Sequence, residues 1–139
     1  MQQTTQVNSL DILNVAKICL SIGDESGYRS CVSRAYYSMY HETMSSLAYV
    51  PHFSSNHHKN LIGYMVTTSE HKAEPFDSRK LKILGYCLKQ QRDARNDADY
   101  DLTGLTVSEE MANDVIESAD IFFSEWNELK AVERHNLKK

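Results

Sequence analysis

Two prolines and five glycines among 139 residues leave too little turn-forming material for a β-sandwich or barrel, which needs a tight corner at the end of every short strand. No apolar run reaches the roughly 18 residues of a membrane span, and Met1-Gln2-Gln3-Thr4-Thr5-Gln6 has neither the positive region nor the apolar core of a secretion signal. A protein outside the membrane and secreted classes is therefore expected. Cysteine is scarce, odd in number and scattered through apolar stretches (Cys19, Cys31, Cys87), a pattern of reduced thiols that points to the cytoplasm. His52, His57, His58 and His71 lack the spacing of a metal motif, so no metal site is expected. There is no glycine-rich phosphate loop and no nucleophile elbow.

What is present fits one helical domain. The chain is 41% hydrophobic and 24% charged, with 15 Lys and Arg against 19 Asp and Glu, a formal charge of -4. A chain of this size buries about 70% of its unfolded surface, enough for one core. Residues 1–139 read as a single domain with its core over about 8–130, a short flexible N-terminus and a basic tail from Lys130 to Lys139.

The apolar periodicity predicts five helices. Ile12, Val15, Cys19 and Ile22 recur at helical spacing beside Leu10, Leu13, Ala16 and Leu20, giving a helix over about 9–22 that Gly23 ends. A second runs from Tyr28 to about Tyr49 and stops before Pro51. A third covers about 57–69, weakened by Gly63. Asp77 caps a fourth that continues to about Asp99. The last begins at Thr106-Val107-Ser108-Glu109, which has the spacing of a capping box, and carries the seam Met111, Val115, Ala119, Phe122, Trp126, Leu129. Short connections and the lack of a strand signal imply an all-α, antiparallel up-and-down bundle of four to five helices.

Charge is unevenly placed. From Lys72 to Arg95 there are seven cations and three acids, whereas from Asp97 to Glu128 there are ten acids and neither Lys nor Arg. One reading pairs the solvent faces of two adjacent helices; the other makes helix four a local anion-binding face. The densest polar cluster, from Gln90 to Asp101, closes that helix. Arg92, Asn96 and Asp99 share a face of it, and Arg95 and Asp99 are four apart. A guanidinium fork beside an amide is a good phosphate clamp, and the same residues also fit a solvated, salt-bridged helix end.

Two motifs carry a family resemblance. Ser33-Arg34-Ala35-Tyr36-Tyr37-Ser38-Met39-Tyr40-His41 on the second helix, with Arg95-Asn96-Asp97-Ala98-Asp99-Tyr100-Asp101 ending the fourth, resembles the HEPN superfamily, in the branch whose signatures read Ala-Tyr-Tyr-x-Met-[Phe/Tyr]-His and Arg-x-x-Ala-Asp-Tyr. His57-His58-Lys59-Asn60 matches the His that branch usually carries on its third helix, and the resemblance covers roughly residues 8–130. It implies a homodimer in which the fourth-helix motifs of two protomers meet in a cleft, and a metal-independent endoribonuclease needing no cofactor. Arg95 then holds the phosphate, with Asn96 as its polar neighbour. Arg92, Asp99, Arg34, Tyr37 and His58 become binding or cleft-lining residues. It further implies RNA or nucleotide as ligand and a nucleotidyltransferase-type antitoxin as partner, in a toxin–antitoxin or antiphage setting.

One departure matters: where active members carry His, this chain has Tyr100, whose ordinary pKa near 10 makes it a poor general base at pH 7. As a hydrogen-bond donor or acid Tyr100 still completes the cleft with Arg95 and Asn96, and it is also the candidate for modification by the partner. Arg34 and His41 also have six residues between them and share a helical face about 10 Å apart, so His41 either packs structurally or reaches the cleft and replaces the absent His. Two alternatives stand beside the nuclease: a non-catalytic nucleotide- or partner-binding module, and a structural helical adaptor.

Overall fold

A computed structural model of the chain describes residues 6–137. They form five helices: α1 (Ser9–Ser21), α2 (Glu25–Ser46), α3 (His57–Val66), α4 (Ser78–Tyr100) and α5 (Glu109–Leu137), with no strand among the described residues. The all-α expectation holds. Central in the bundle is α2, which packs on α1, α4 and α5, while α3 lies against α4. No helix is long and apolar enough to cross a membrane among the described residues.

Local chemistry sets the helix ends. Asn8 and Asp11 form a reciprocal capping box at the start of α1, and Gly23, at φ 86°, supplies the left-handed residue that turns the chain into α2. Asp24 caps α2 by accepting from the Gly27 N–H, so α2 begins three residues before the expected Tyr28 and ends three before Tyr49. Asp77 caps α4 as expected, through the Lys80 N–H. The cap of α5 differs from the expected box. Ser108, not Thr106, accepts from the Met111 N–H, because Val107 is buried and its N–H is taken by Glu25.

The cap thus sits two residues later than expected, and the α5 seam differs only at its start: Ala112 is buried where Met111 was expected, ahead of Val115, Ala119, Phe122, Trp126 and Leu129 as predicted. Trp126 is the largest fully buried side chain; its indole N–H donates to Thr43 Oγ1 and Phe76 packs edge-on to its ring. On α1 only Leu13 and Ala16 are buried, with Val15, Ile18 and Ile22 facing outward, so its apolar face is narrower than the sequence pattern. The basic tail continues α5 as helix to Leu137, and Lys130 is drawn into an ion pair with the buried Glu42 at 2.9 Å. Residues 1–5 of the expected flexible N-terminus, and Lys138 and Lys139, lie outside the described residues.

Two contacts fix the helices that matter for the site. Arg29 on α2 donates to the carbonyls of Ala98 (3.0 Å), Asp101 (2.9 Å) and Leu105, and to the Glu25 carboxylate, which also accepts from the Val107 N–H at 2.8 Å. This clamp ties the end of α4 and its following loop to α2. Glu25 is correspondingly held below the usual carboxylate range, first by the Val107 N–H and then by Arg29. On the other side Gly85 lets α4 meet α3 closely, since a Cβ there would sit 2.8 Å from the Val66 side chain and 2.9 Å from Met65 Cβ.

Candidate functional site

Where α2, α3 and α4 meet, the second- and fourth-helix motifs come together. Arg95 is buried, 8% exposed, with its guanidinium carbon 5.4 Å from the Tyr36 ring and 5.3 Å from the Tyr37 ring. Aromatic faces attract a cation and fix its plane. Its only ion partner among the described residues is Asp99, at a loose 3.7 Å, and that carboxylate also accepts from Ser33 Oγ at 3.2 Å. Arg95 Nε has no partner, nor do the buried Arg92 Nε and Gln91 Oε1 one turn earlier. Among the described residues these are all the buried side-chain polar atoms left unpaired. A buried donor normally finds an acceptor, so their concentration in one place marks polar capacity that the fold itself does not use.

His58 opens α3 and reaches the same tyrosines. Its Nδ1 is 2.6 Å from the Tyr36 hydroxyl, and its ring lies 4.2 Å from Tyr40, 5.5 Å from Tyr36 and 5.9 Å from Tyr37, centre to centre. Burial lowers its pKa to about 4, and the charges of Arg95 and Arg92, then His57 and His41, push the same way. The imidazole is thus neutral at pH 7. Burial pushes the Tyr36 hydroxyl well above the usual tyrosine range, with Arg95 and Arg92 pulling only partly against it, so it keeps its proton. Burial raises Tyr40 as well.

The remaining sequence candidates spread around this centre. Arg34 is exposed and lies 5.0 Å over Tyr37. Asn96 is half-buried and makes no side-chain hydrogen bond among the described residues. Tyr100 is 76% exposed, about 140° around α4 from Arg95, and points to solvent rather than to the guanidinium. His41 is exposed, edge-on to Tyr40 at 5.2 Å, and lines another recess of about 820 Å³ between α1, α2 and α5, with Ser9, Glu42, Phe123 and Lys130. The structure therefore brings Arg92, Arg95, Asp99, Tyr37 and His58 together and leaves His41 and Tyr100 outside that cluster. Tyr36, Tyr40, Ser33 and Gln91 join it without having been singled out as site residues. Ser33 and Tyr40 lie one turn from Tyr37 and Gln91 one turn from Arg95, which was the available signal for them, while Tyr36 adjoins Tyr37 within the motif.

Chemically the cluster combines two arginines whose buried Nε atoms are unpaired, one partly committed carboxylate, and a neutral imidazole on an aromatic wall. No set of three or more His, Cys, Asp or Glu side chains among the described residues is arranged to hold a metal ion. The architecture and site together define a helical bundle that gathers two arginines and a histidine against a wall of tyrosines. No family model, curated protein or solved structure matches the chain.

Proposed function

We propose that this chain is a HEPN-type, RNA-directed protein in which Arg95 and Arg92 hold a backbone phosphodiester, acting as a metal-independent endoribonuclease of a toxin–antitoxin or antiphage system. The observation that carries the reading is the buried, unpaired Nε of both arginines in the motif that resembles the family's catalytic one. A guanidinium held ready on two tyrosine rings offers planar donors to non-bridging phosphate oxygens and stabilises the charge that grows there in the transition state. The RNA 2′-oxygen attacks phosphorus, its proton passing to solvent or a side chain. The 5′-oxygen leaves and takes up a proton, giving a 2′,3′-cyclic phosphate and a free 5′-hydroxyl.

The dimer belongs to the same proposal. Tyr100 and Leu102, 76% and 69% exposed, flank the end of α4, where a second copy's motif would meet them. Tyr100 is also open there to a nucleotidyltransferase partner. One observation favours the second reading, a non-catalytic nucleotide-binding module: the imidazole beside Arg95 is His58, which does not titrate near pH 7.

The test is to incubate wild type and Arg95→Ala with total RNA in EDTA and map the ends. Cyclic-phosphate ends that vanish in the variant support the nuclease. Arg95-dependent binding without cleavage supports the binding module, and neither result leaves the helical adaptor.

A further inference from the structure

We propose that His58 serves this pocket as a neutral hydrogen-bond donor: Tyr36 holds its Nδ1 as an acceptor, so the imidazole proton sits on Nε2 and completes, with Arg92 and Arg95, a three-donor cradle for a phosphate oxygen. The identity of the ligand as phosphate rests on the reading above; the state of His58 does not.

The argument starts from the 2.6 Å contact between the Tyr36 hydroxyl and His58 Nδ1. A neutral imidazole carries one proton, and which nitrogen bears it is set by the partner of the other. Tyr36 lies at the bottom of the cluster, wholly buried, and the described residues offer its hydroxyl no second acceptor. Donating to Nδ1 is the one arrangement that uses the phenol proton. The imidazole hydrogen then belongs to Nε2, which has no protein partner among the described residues and is not among the buried unpaired atoms, so solvent or a ligand reaches it.

The surroundings keep the ring uncharged. Arg92 and Arg95 act on it from α4, His57 adjoins it on α3, Tyr36, Tyr37 and Tyr40 face it from α2, and the outward-turned His41 adds the smallest repulsion. Asp99, the nearest acid in the cluster, is engaged by Ser33 and Arg95. With no carboxylate on the ring, nothing favours imidazolium. A neutral imidazole set beside cations donates without proton transfer, an electrophilic role open to histidine. Tyr36 is accordingly a positioning residue, acting through His58.

Nitrogen-15 NMR on the full-length chain reads this directly. Long-range proton–nitrogen correlation is expected to show His58 as the Nε2–H tautomer, unchanged from pH 8 to about pH 5, with Tyr36→Phe giving a tautomer mixture. An Nδ1–H tautomer or an imidazolium at pH 6.5 would overturn the proposal. Titration with inorganic phosphate is expected to move the His58 Nε2–H and the Arg95 terminal guanidinium N–H signals together. If the arginine responds and His58 does not, the donor role fails alone; if neither responds, the phosphate reading fails with it.

Variants supply the second readout. Phosphate affinity should fall about 10- to 100-fold in His58→Phe, which removes the donor, and no more than about 3-fold in His58→Gln, whose amide places an N–H near the Nε2 position. Equal losses in both, with helix content unchanged by circular dichroism, would overturn the proposal.

Discussion

Replacing Arg95 with methionine should make the protein more stable while removing the guanidinium on which the proposed phosphate site depends. The guanidinium is 8% exposed and its Nε is unpaired, a condition that costs about 1–3 kcal/mol for a buried donor, and more for a charged one. Against this stand the two tyrosine faces at 5.4 and 5.3 Å. Together they are worth about 1–2 kcal/mol. Asp99 at 3.7 Å, its carboxylate part-exposed, adds at most about 1 kcal/mol. Methionine has similar reach, buries no charge and makes favourable sulfur–aromatic contacts with the same rings. The arginine's own gains and costs nearly cancel, and the sulfur–aromatic contacts tip the balance to the variant by about 1 kcal/mol, or a Tm increase of roughly 3–5 °C for a domain of this size. Urea unfolding followed at 222 nm, at one fixed protein concentration and with m unchanged, measures it. A loss of stability above about 1 kcal/mol would refute the reasoning, because it would make the guanidinium a structural keystone and support the adaptor reading instead.

Two further predictions concern the supports of the site. Because the His58 pKa is lowered in the fold to about 4, the unfolded chain takes up a proton below its own value near 6.5 that the native state refuses. Stability is therefore present above about pH 6.5 and lost as pH falls toward 4; the His58→Phe variant should lose about 2 kcal/mol less than wild type between pH 7 and 4.5 in urea titrations, and parallel losses would count against a neutral, enclosed ring. Arg29→Ala removes donors from the carbonyls of Ala98, Asp101 and Leu105 and should cost about 2–4 kcal/mol, with amide exchange rising first across residues 98–107. Exchange that rises uniformly along the chain would contradict a local clamp.

The helices were legible because their signals are local. Apolar spacing, Gly23 and the Asp77 cap each act within one or two turns, and they set α1, α3 and α4 close to their observed limits. Where two local signals competed, tertiary contact decided. Thr106 and Ser108 both offer a hydroxyl, and burial of Val107 against α2 selects Ser108. The exposure of Val15, Ile18 and Ile22 depends on how much of α1 its neighbours cover, which spacing does not encode.

The site was legible in part for the same reason. Arg95, Arg92 and Asp99 share a helical face, and the outward direction of Tyr100 follows from its phase on α4. The partnership of His58 with Tyr36 spans 22 positions and a loop, and arises only from the docking of α3. His41 and His58 were both eligible by residue type. Packing separates them, seating one on the tyrosine wall and turning the other toward the recess beside α5.

The pocket draws its wall from α2, its imidazole from α3 and its cations from α4, and this gives the protein a built-in order of events. No continuous stretch shorter than the run from Tyr36 to Arg95 contains all three parts, and α3 is held in place chiefly by its seat on α4. A growing or nicked chain therefore holds the right residues without holding the pocket. On the proposed function, no RNA meets a complete site until the tertiary structure has closed, so that folding itself is the step that assembles it.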